Sequence, residues 1–131
     1  DTLLFGSIRW VDWTAFVIDP PGYPAPLGNL VDYASDRVTY NIGIGRRFNE
    51  NWSGAVTLGY EKSDGATTGN LGPTDGMKSI GLAATYTMDS MKITGGIRYV
   101  DLGDATTNPP VGGVFTGNSG IGVGIKVGYT F

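Results

Sequence analysis

From position 121 to position 131 the chain alternates without interruption. Ile121, Val123, Ile125, Val127, Tyr129 and Phe131 share one parity; Gly122, Gly124, Lys126, Gly128 and Thr130 share the other. Period two is the mark of a β-strand whose two faces meet different surroundings. A strand that is apolar on one side, small or polar on the other, and closed by an aromatic residue is the last strand expected of a transmembrane β-barrel. There the apolar side meets lipid and the other side meets the lumen. The plainer reading is an amphipathic strand of a water-soluble sheet, and the rest of the chain has to separate the two.

Five more segments carry the same signal, which makes about six strands. The first spans residues 3–18, with Trp10, Trp13 and Phe16. Its faces stay open, because Trp10 and Asp12 share one parity and Arg9 and Trp13 the other, as a bulge or a strand end would produce. Residues 19–36 hold Pro20, Pro21, Pro24 and Pro26 and read as a long loop, since proline at that density cannot join a ladder. In 37–47, Val38, Tyr40, Ile42 and Ile44 alternate with Thr39, Asn41, Gly43, Gly45 and Arg47. The Asn-rich stretch 48–51 is a tight turn. In 52–62, Val56, Leu58 and Tyr60 oppose Ser53, Ala55, Thr57, Gly59 and Glu61. A Gly- and Asp-containing loop over 63–76 leads to strands at 77–88 and 91–102, joined by a short turn. A second proline-containing loop over 103–119 precedes the terminal strand.

Long and short connections therefore alternate. Bacterial barrels show that asymmetry, with long extracellular loops and short periplasmic turns. The strand lengths also suit a tilted crossing of about 9–11 residues. The expected fold is all-β: an antiparallel up-and-down transmembrane barrel of which these strands are one part. Single-chain barrels begin at eight strands. An open edge in hydrocarbon strands backbone groups at several kcal/mol each. Residues 1–131 are thus expected to be the C-terminal portion of one barrel domain, with further strands, from the same polypeptide or from other chains, needed to close it.

Composition narrows the chemistry. With 131 residues, no cysteine and no histidine, the chain has no thiolate nucleophile, no Cys-based zinc site and no imidazole-based triad or metal ligand. No catalytic residues, metal ligands or cofactor are assigned. A net charge of −3 and a sequence pI near 4.6 leave no basic footprint for nucleic acid. Mean hydropathy near zero is what barrel strands give, because half of their residues face a polar interior.

Particular stretches resemble the C-terminal part of the FadL family of outer-membrane transporters. They are Gly6-Ser7-Ile8-Arg9-Trp10-Val11-Asp12-Trp13, the run from Thr39 through Arg46-Arg47-Phe48-Asn49-Glu50-Asn51-Trp52-Ser53, Leu71-Gly72-Pro73-Thr74-Asp75-Gly76, Met91 through Val100, and the closing Gly124 through Phe131. The resemblance implies a fourteen-stranded monomeric barrel whose lumen is plugged by an N-terminal hatch. It implies passive inward diffusion of long-chain fatty acids or other hydrophobic compounds. The hatch and the earlier strands have no counterpart in these residues, so no ligand-binding position is carried over.

The candidate site residues follow. Ile121, Val123, Ile125, Val127, Tyr129 and Phe131 form an expected membrane-assembly signal, read by the barrel-insertion machinery. Arg47, Glu61, Lys92, Arg98 and Lys126 are candidate lumen-facing charges; the blander expectation is that they form a mutual ion-pair network holding the wall. Tyr40, Tyr60, Tyr86, Tyr99, Tyr129, Trp52 and Phe48 suit an interfacial aromatic girdle better than a ligand path. Asp64, Asp75, Asp101 and Asp104 read as solvated loop charge rather than a cation or lipopolysaccharide bridge. The expected partners are membrane lipids, lipopolysaccharide and a hydrophobic small molecule, and the expected location is the bacterial outer membrane. The competing expectations are a structural or adhesive barrel module without transport, and a soluble carbohydrate-binding β-sandwich, which would bury the apolar faces in a protein core.

Overall fold

Ten strands follow one another along the chain: β1 (Thr2–Val11), β2 (Val17–Ile18), β3 (Val31–Asp32), β4 (Arg37–Arg47), β5 (Trp52–Glu61), β6 (Met77–Met88), β7 (Met91–Leu102), β8 (Ala105–Thr106), β9 (Val114–Phe115) and β10 (Ser119–Tyr129). The structure, a computed structural model, describes residues 1–131 apart from the Leu27 side chain. The six long strands form one antiparallel sheet in the order β1-β4-β5-β6-β7-β10, and β2-β3 and β8-β9 are small ribbons within the loops. Long strands adjacent in sequence are therefore adjacent in space, an up-and-down meander. The sheet is not closed: β1 and β10 are its two edges.

Register aligns the alternating residues into rows that cross every strand. Leu4, Ile44, Val56, Leu82, Ile97 and Val123 stand opposite one another in sequence across the sheet. The adjacent row on the same face is Gly6, Ile42, Leu58, Ile80, Tyr99 and Ile121. A slip of one residue in any strand would break both rows, which is why a shared apolar face specifies register so strongly. On the opposite face the corresponding row is Leu3, Gly45, Ala55, Ala83, Gly96 and Gly124, followed by Phe5, Gly43, Thr57, Gly81, Arg98 and Gly122.

No conventional core lies beneath either face. Among the described residues Ala105 is the one buried hydrophobic residue, and it sits in a loop ribbon. The apolar rows point outward: Ile125 is 78% exposed, and even Val56 in the middle of the sheet is 38% exposed. The burial that a soluble sandwich requires for 121, 123, 125 and 127 is not present in this sheet.

Both short connections have local causes. At 48–51 the Asn49 carboxamide oxygen accepts hydrogen bonds from the backbone N–H of Asn51 (3.0 Å) and Trp52 (2.8 Å). Between β6 and β7 only Asp89 and Ser90 lie outside the strands, and Asp89 takes φ 47°.

The first strand departs from expectation. It ends at Val11, not at residue 18. Asp12 Oδ1 accepts hydrogen bonds from Thr14 Oγ1 (3.0 Å) and Ala15 N (3.1 Å). That local turn offers the backbone an alternative to the ladder. The open question of faces is settled with it. Trp10 pairs with Val38 on the apolar face, Arg9 pairs with Thr39 on the polar face, and Trp13 belongs to the loops. The terminal strand begins two residues earlier than the alternation and stops at Tyr129; Phe131 packs edge-on against Tyr129 at 5.3 Å.

Candidate functional site

All five candidate charges stand on the polar face. Strand alternation and register put Arg47 with Ser53, Glu61 with Thr39, Lys92 with Thr87, Arg98 with Gly81, and Lys126 with Thr94. They do not form the expected ion-pair network. Each is engaged singly or not at all: Glu61 accepts from Thr39 Oγ1 at 2.8 Å, Arg98 donates to Ser79 Oγ at 2.8 Å, and Arg47 reaches the Glu50 carbonyl at 3.4 Å. Among the described residues the ion pairs all belong to Arg37.

The network the sequence reading missed lies at the loop end of the sheet. Arg37 opens β4 and donates through Nη1 to Asp75 Oδ1 at 2.8 Å, with Asp64 at 3.6 Å. Asp75 also accepts from Ser63 Oγ (2.6 Å) and from the backbone N–H of Asp64 (3.1 Å) and Gly65 (2.8 Å). Ser35, from the first long loop, donates to Asp64. One fully buried carboxylate therefore ties the start of β4 to the loop over 62–76, and the Ser35–Asp64 contact joins the first long loop to that loop. Burial alone would raise its pKa, but the four donors outweigh it and hold the Asp75 carboxyl down to about 2. Asp75 is thus not the solvated loop charge expected of it.

Two glycines make room for this clasp. Gly76 takes φ +76°, and a Cβ there would come within 2.6 Å of Ser63 N and 2.8 Å of the Glu61 carbonyl. A Cβ on Gly103 would collide with the Asp75 carbonyl, whereas its N–H donates to the Gly76 carbonyl at 2.9 Å. The third long loop joins here as well: Thr68 N–H donates to the Thr106 carbonyl, and Asn108 N–H to the Thr68 carbonyl, both at 2.9 Å. The three long loops are one connected cover at one end of the sheet.

Ile121, Val123, Ile125, Val127 and Tyr129 share one face of β10 and are exposed, and Phe131 follows the end of that strand. The aromatic residues divide by end. Tyr40 pairs with Tyr60 near the loops, and Tyr99 stands one row further in. Trp52 stacks on Tyr86 at 5.0 Å near the short turns, and the Phe48 ring lies over Gly54. Arg46 shares this face, one row in from Trp52, where its long stem can cover apolar surface while the guanidinium reaches polar surroundings.

Among the described residues no group of acidic side chains has the makings of a metal site, and no helix is long and apolar enough to cross a membrane, which says nothing about crossing by strands. Comparisons with protein-family profiles, curated proteins and solved structures return no match.

Proposed function

We propose that residues 1–131 are the C-terminal part of a FadL-like outer-membrane β-barrel. It would let long-chain fatty acids or other hydrophobic compounds diffuse passively inward, binding without chemistry. The observation that carries the barrel is the exposed apolar face, in which six strands align their aliphatic residues row by row. An apolar patch of that extent marks a surface with a partner, and acyl chains are the partner that covers a whole sheet. The dimensions agree. Tyr60 and Trp52 bracket the rows on β5; eight residues at about 3.3 Å each give about 26 Å along the strand, or about 20 Å once tilted by ~40°. An outer-membrane apolar band flanked by aromatic girdles is about 25 Å tall.

In this reading the polar face lines the lumen, the loop cover lies outside the cell and the short turns face the periplasm. The open edges of β1 and β10 are completed by further strands, and Ile121 to Phe131 carry the signal for the insertion machinery. The hydrophobic cargo is supported by the family resemblance and by one feature of the polar face. The row Leu3, Gly45, Ala55, Ala83, Gly96, Gly124 has no polar side chain. A band without hydrogen-bonding side chains crosses the wall where an acyl chain would pass.

Two measurements test this. Val123→Arg, in the central row with Val56, places a cation on the lipid side at a cost of about 2–4 kcal/mol near the midplane and should abolish heat-modifiable mobility in gels. Gly124→Ser, where a Cβ meets open space, should keep it; equal behaviour of the two would refute the inside/outside assignment. Uptake of labelled oleate by cells lacking another route should rise with the full-length protein and fall with Ala83→Asp, whose barrel still folds. A folded barrel with no uptake would instead favour a structural or adhesive module, the reading to which the two open edges also lend themselves.

A further inference from the structure

Beneath the joined loops is a cavity that neither the barrel nor its transport explains. It encloses about 260 Å³ and is lined by Arg9 and Glu61 from the polar face, by Trp13 and Tyr33 from the first long loop, and by Thr67 and Thr68 from the second. We infer that this cavity is a binding site for a neutral pyranose sugar. The inference is independent of the transport reading, since it needs only the loops and the polar face.

Three properties of the wall select that ligand class. The first is size. At about 30 Å³ for each water in the liquid, the space holds some eight or nine waters. That is the scale of one sugar ring and just below the range of about 300–1,000 Å³ for drug-sized ligands.

The second is the aromatic wall. Trp13 and Tyr33 are half-buried with ring centroids 5.0 Å apart, and Phe16 braces both from 6.2 and 6.5 Å. Three rings packed on one another give a rigid wall at low entropic cost. The C–H groups on one face of a pyranose are slightly positive, and an aromatic face is negative.

The third property is charge, and it decides against an ionic ligand. Arg9 and Glu61 both flank Thr39, one on each side of it in the register. Their backbones are therefore two strand spacings apart, about 10 Å. Among the described residues they form no ion pair with each other, and Arg9 has no polar partner at all. Arg37 also borders the cavity, but its Nη1 is committed to Asp75, Asp64 and the Lys62 carbonyl. An anion drawn to Arg9 would be repelled by Glu61, and a cation would meet the reverse. A neutral ring carrying hydroxyls on two sides satisfies both, accepting from the guanidinium and donating to the carboxylate.

The sugar has two sources with the same chemistry, a free saccharide or the terminal sugar of a surface glycolipid. The test uses the full-length protein in a zwitterionic amine-oxide detergent, which carries no sugar of its own. Methyl glycosides of glucose, galactose and mannose are titrated against tryptophan fluorescence and saturation-transfer NMR. Lipopolysaccharide bearing its core sugars and lipid A lacking them form the second arm. At least one methyl glycoside, or the core-bearing lipopolysaccharide alone, should bind saturably with a dissociation constant of about 1 mM or tighter; the first result assigns free sugar, the second a glycolipid. Trp13→Ala, Arg9→Gln and Glu61→Gln should each weaken binding about tenfold or more. Lys92→Gln, on the same face at the far end, should leave it unchanged. Glu61→Gln keeps the shape of the side chain, so it answers the question even where Trp13→Ala disturbs the loop. The inference is overturned if no probe saturates, if lipid A binds as well as the core-bearing form, or if Glu61→Gln and Arg9→Gln bind as the parent does. It is also overturned if glucuronate outcompetes its neutral glucoside in a salt-dependent way.

Discussion

Asp75 concentrates the energetics of the loop cover in one carboxylate. Its oxygens receive four donors, one of them the guanidinium of Arg37, and the carboxylate itself is buried. Removing one partner of a buried ion pair costs about 3–5 kcal/mol, because the other charge is left uncompensated. Asp75→Ala should therefore open the loops at 12–36 and 62–76 to limited proteolysis while the strands stay protected. The pH dependence follows from the same contacts. The folded-state pKa is lowered from an ordinary 3.8 to about 2. Its contribution is thus fully present above about pH 4 and lost as pH falls toward 2. Protection of the Asp64 and Gly65 amides against hydrogen exchange should fade across that window, and unchanged protection at pH 2 would contradict the clasp. Gly103 offers a steric version of the same test. Gly103→Ala drives a methyl group into the Asp75 carbonyl, a backbone atom that cannot step aside. Gly122→Ala meets open space and should leave loop proteolysis as it was.

The elements show where the sequence speaks and where it falls silent. Strands β4, β6 and β7 begin and end where alternation places them, because each is long, strictly periodic and bounded by polar or glycine-containing turns. The face of each candidate charge follows from the same parity. What alternation cannot reveal is a contact made by loops. Arg37 opens β4, whereas Ser63 and Asp75 stand at the two ends of one loop and carry no period, so their convergence depends on strand pairing bringing the start of β4 beside that loop. The overlong first strand has a similar origin: Trp13 and Phe16 look like strand residues, but Asp12 turns the backbone and sends both rings into the loops. A usable signal was present in Asp75-Gly76 directly before a strand, since a glycine there permits the positive φ that aims the carboxylate inward. The hairpin between β6 and β7 yields a prediction at this scale. Asp89 occupies the first position of a two-residue loop with positive φ, where glycine is the favoured residue. Asp89→Gly should relieve up to about 1 kcal/mol of strain and raise the urea midpoint. A lower midpoint would mean that the aspartate side chain stabilises the turn in a way its backbone angle hides.

At the scale of the whole molecule the unresolved tension is between faces and edges. The faces look complete: six strands present aligned aliphatic rows on one side and a small-residue row with single polar contacts on the other. The edges are not, for β1 and β10 each carry a row of backbone groups with no neighbouring strand. In water such an edge is tolerated, with solvent supplying the missing partners. In hydrocarbon it is not, and every unmatched N–H or C=O costs several kcal/mol. If the apolar face meets lipid, both edges must therefore be paired in the functional molecule. Hydrogen exchange separates the possibilities. In the 131-residue chain alone, the amides of β1 and β10 that point away from their one neighbour should exchange quickly, while those of β5 and β6 exchange slowly. On the barrel proposal, β1 and β10 of the protein in an outer-membrane bilayer should become as slow as β5, because further strands would receive them. Edges that stay fast in the membrane, beside a protected β5, would mean that the sheet never closes. The exposed aliphatic rows would then have to be covered by protein rather than by lipid.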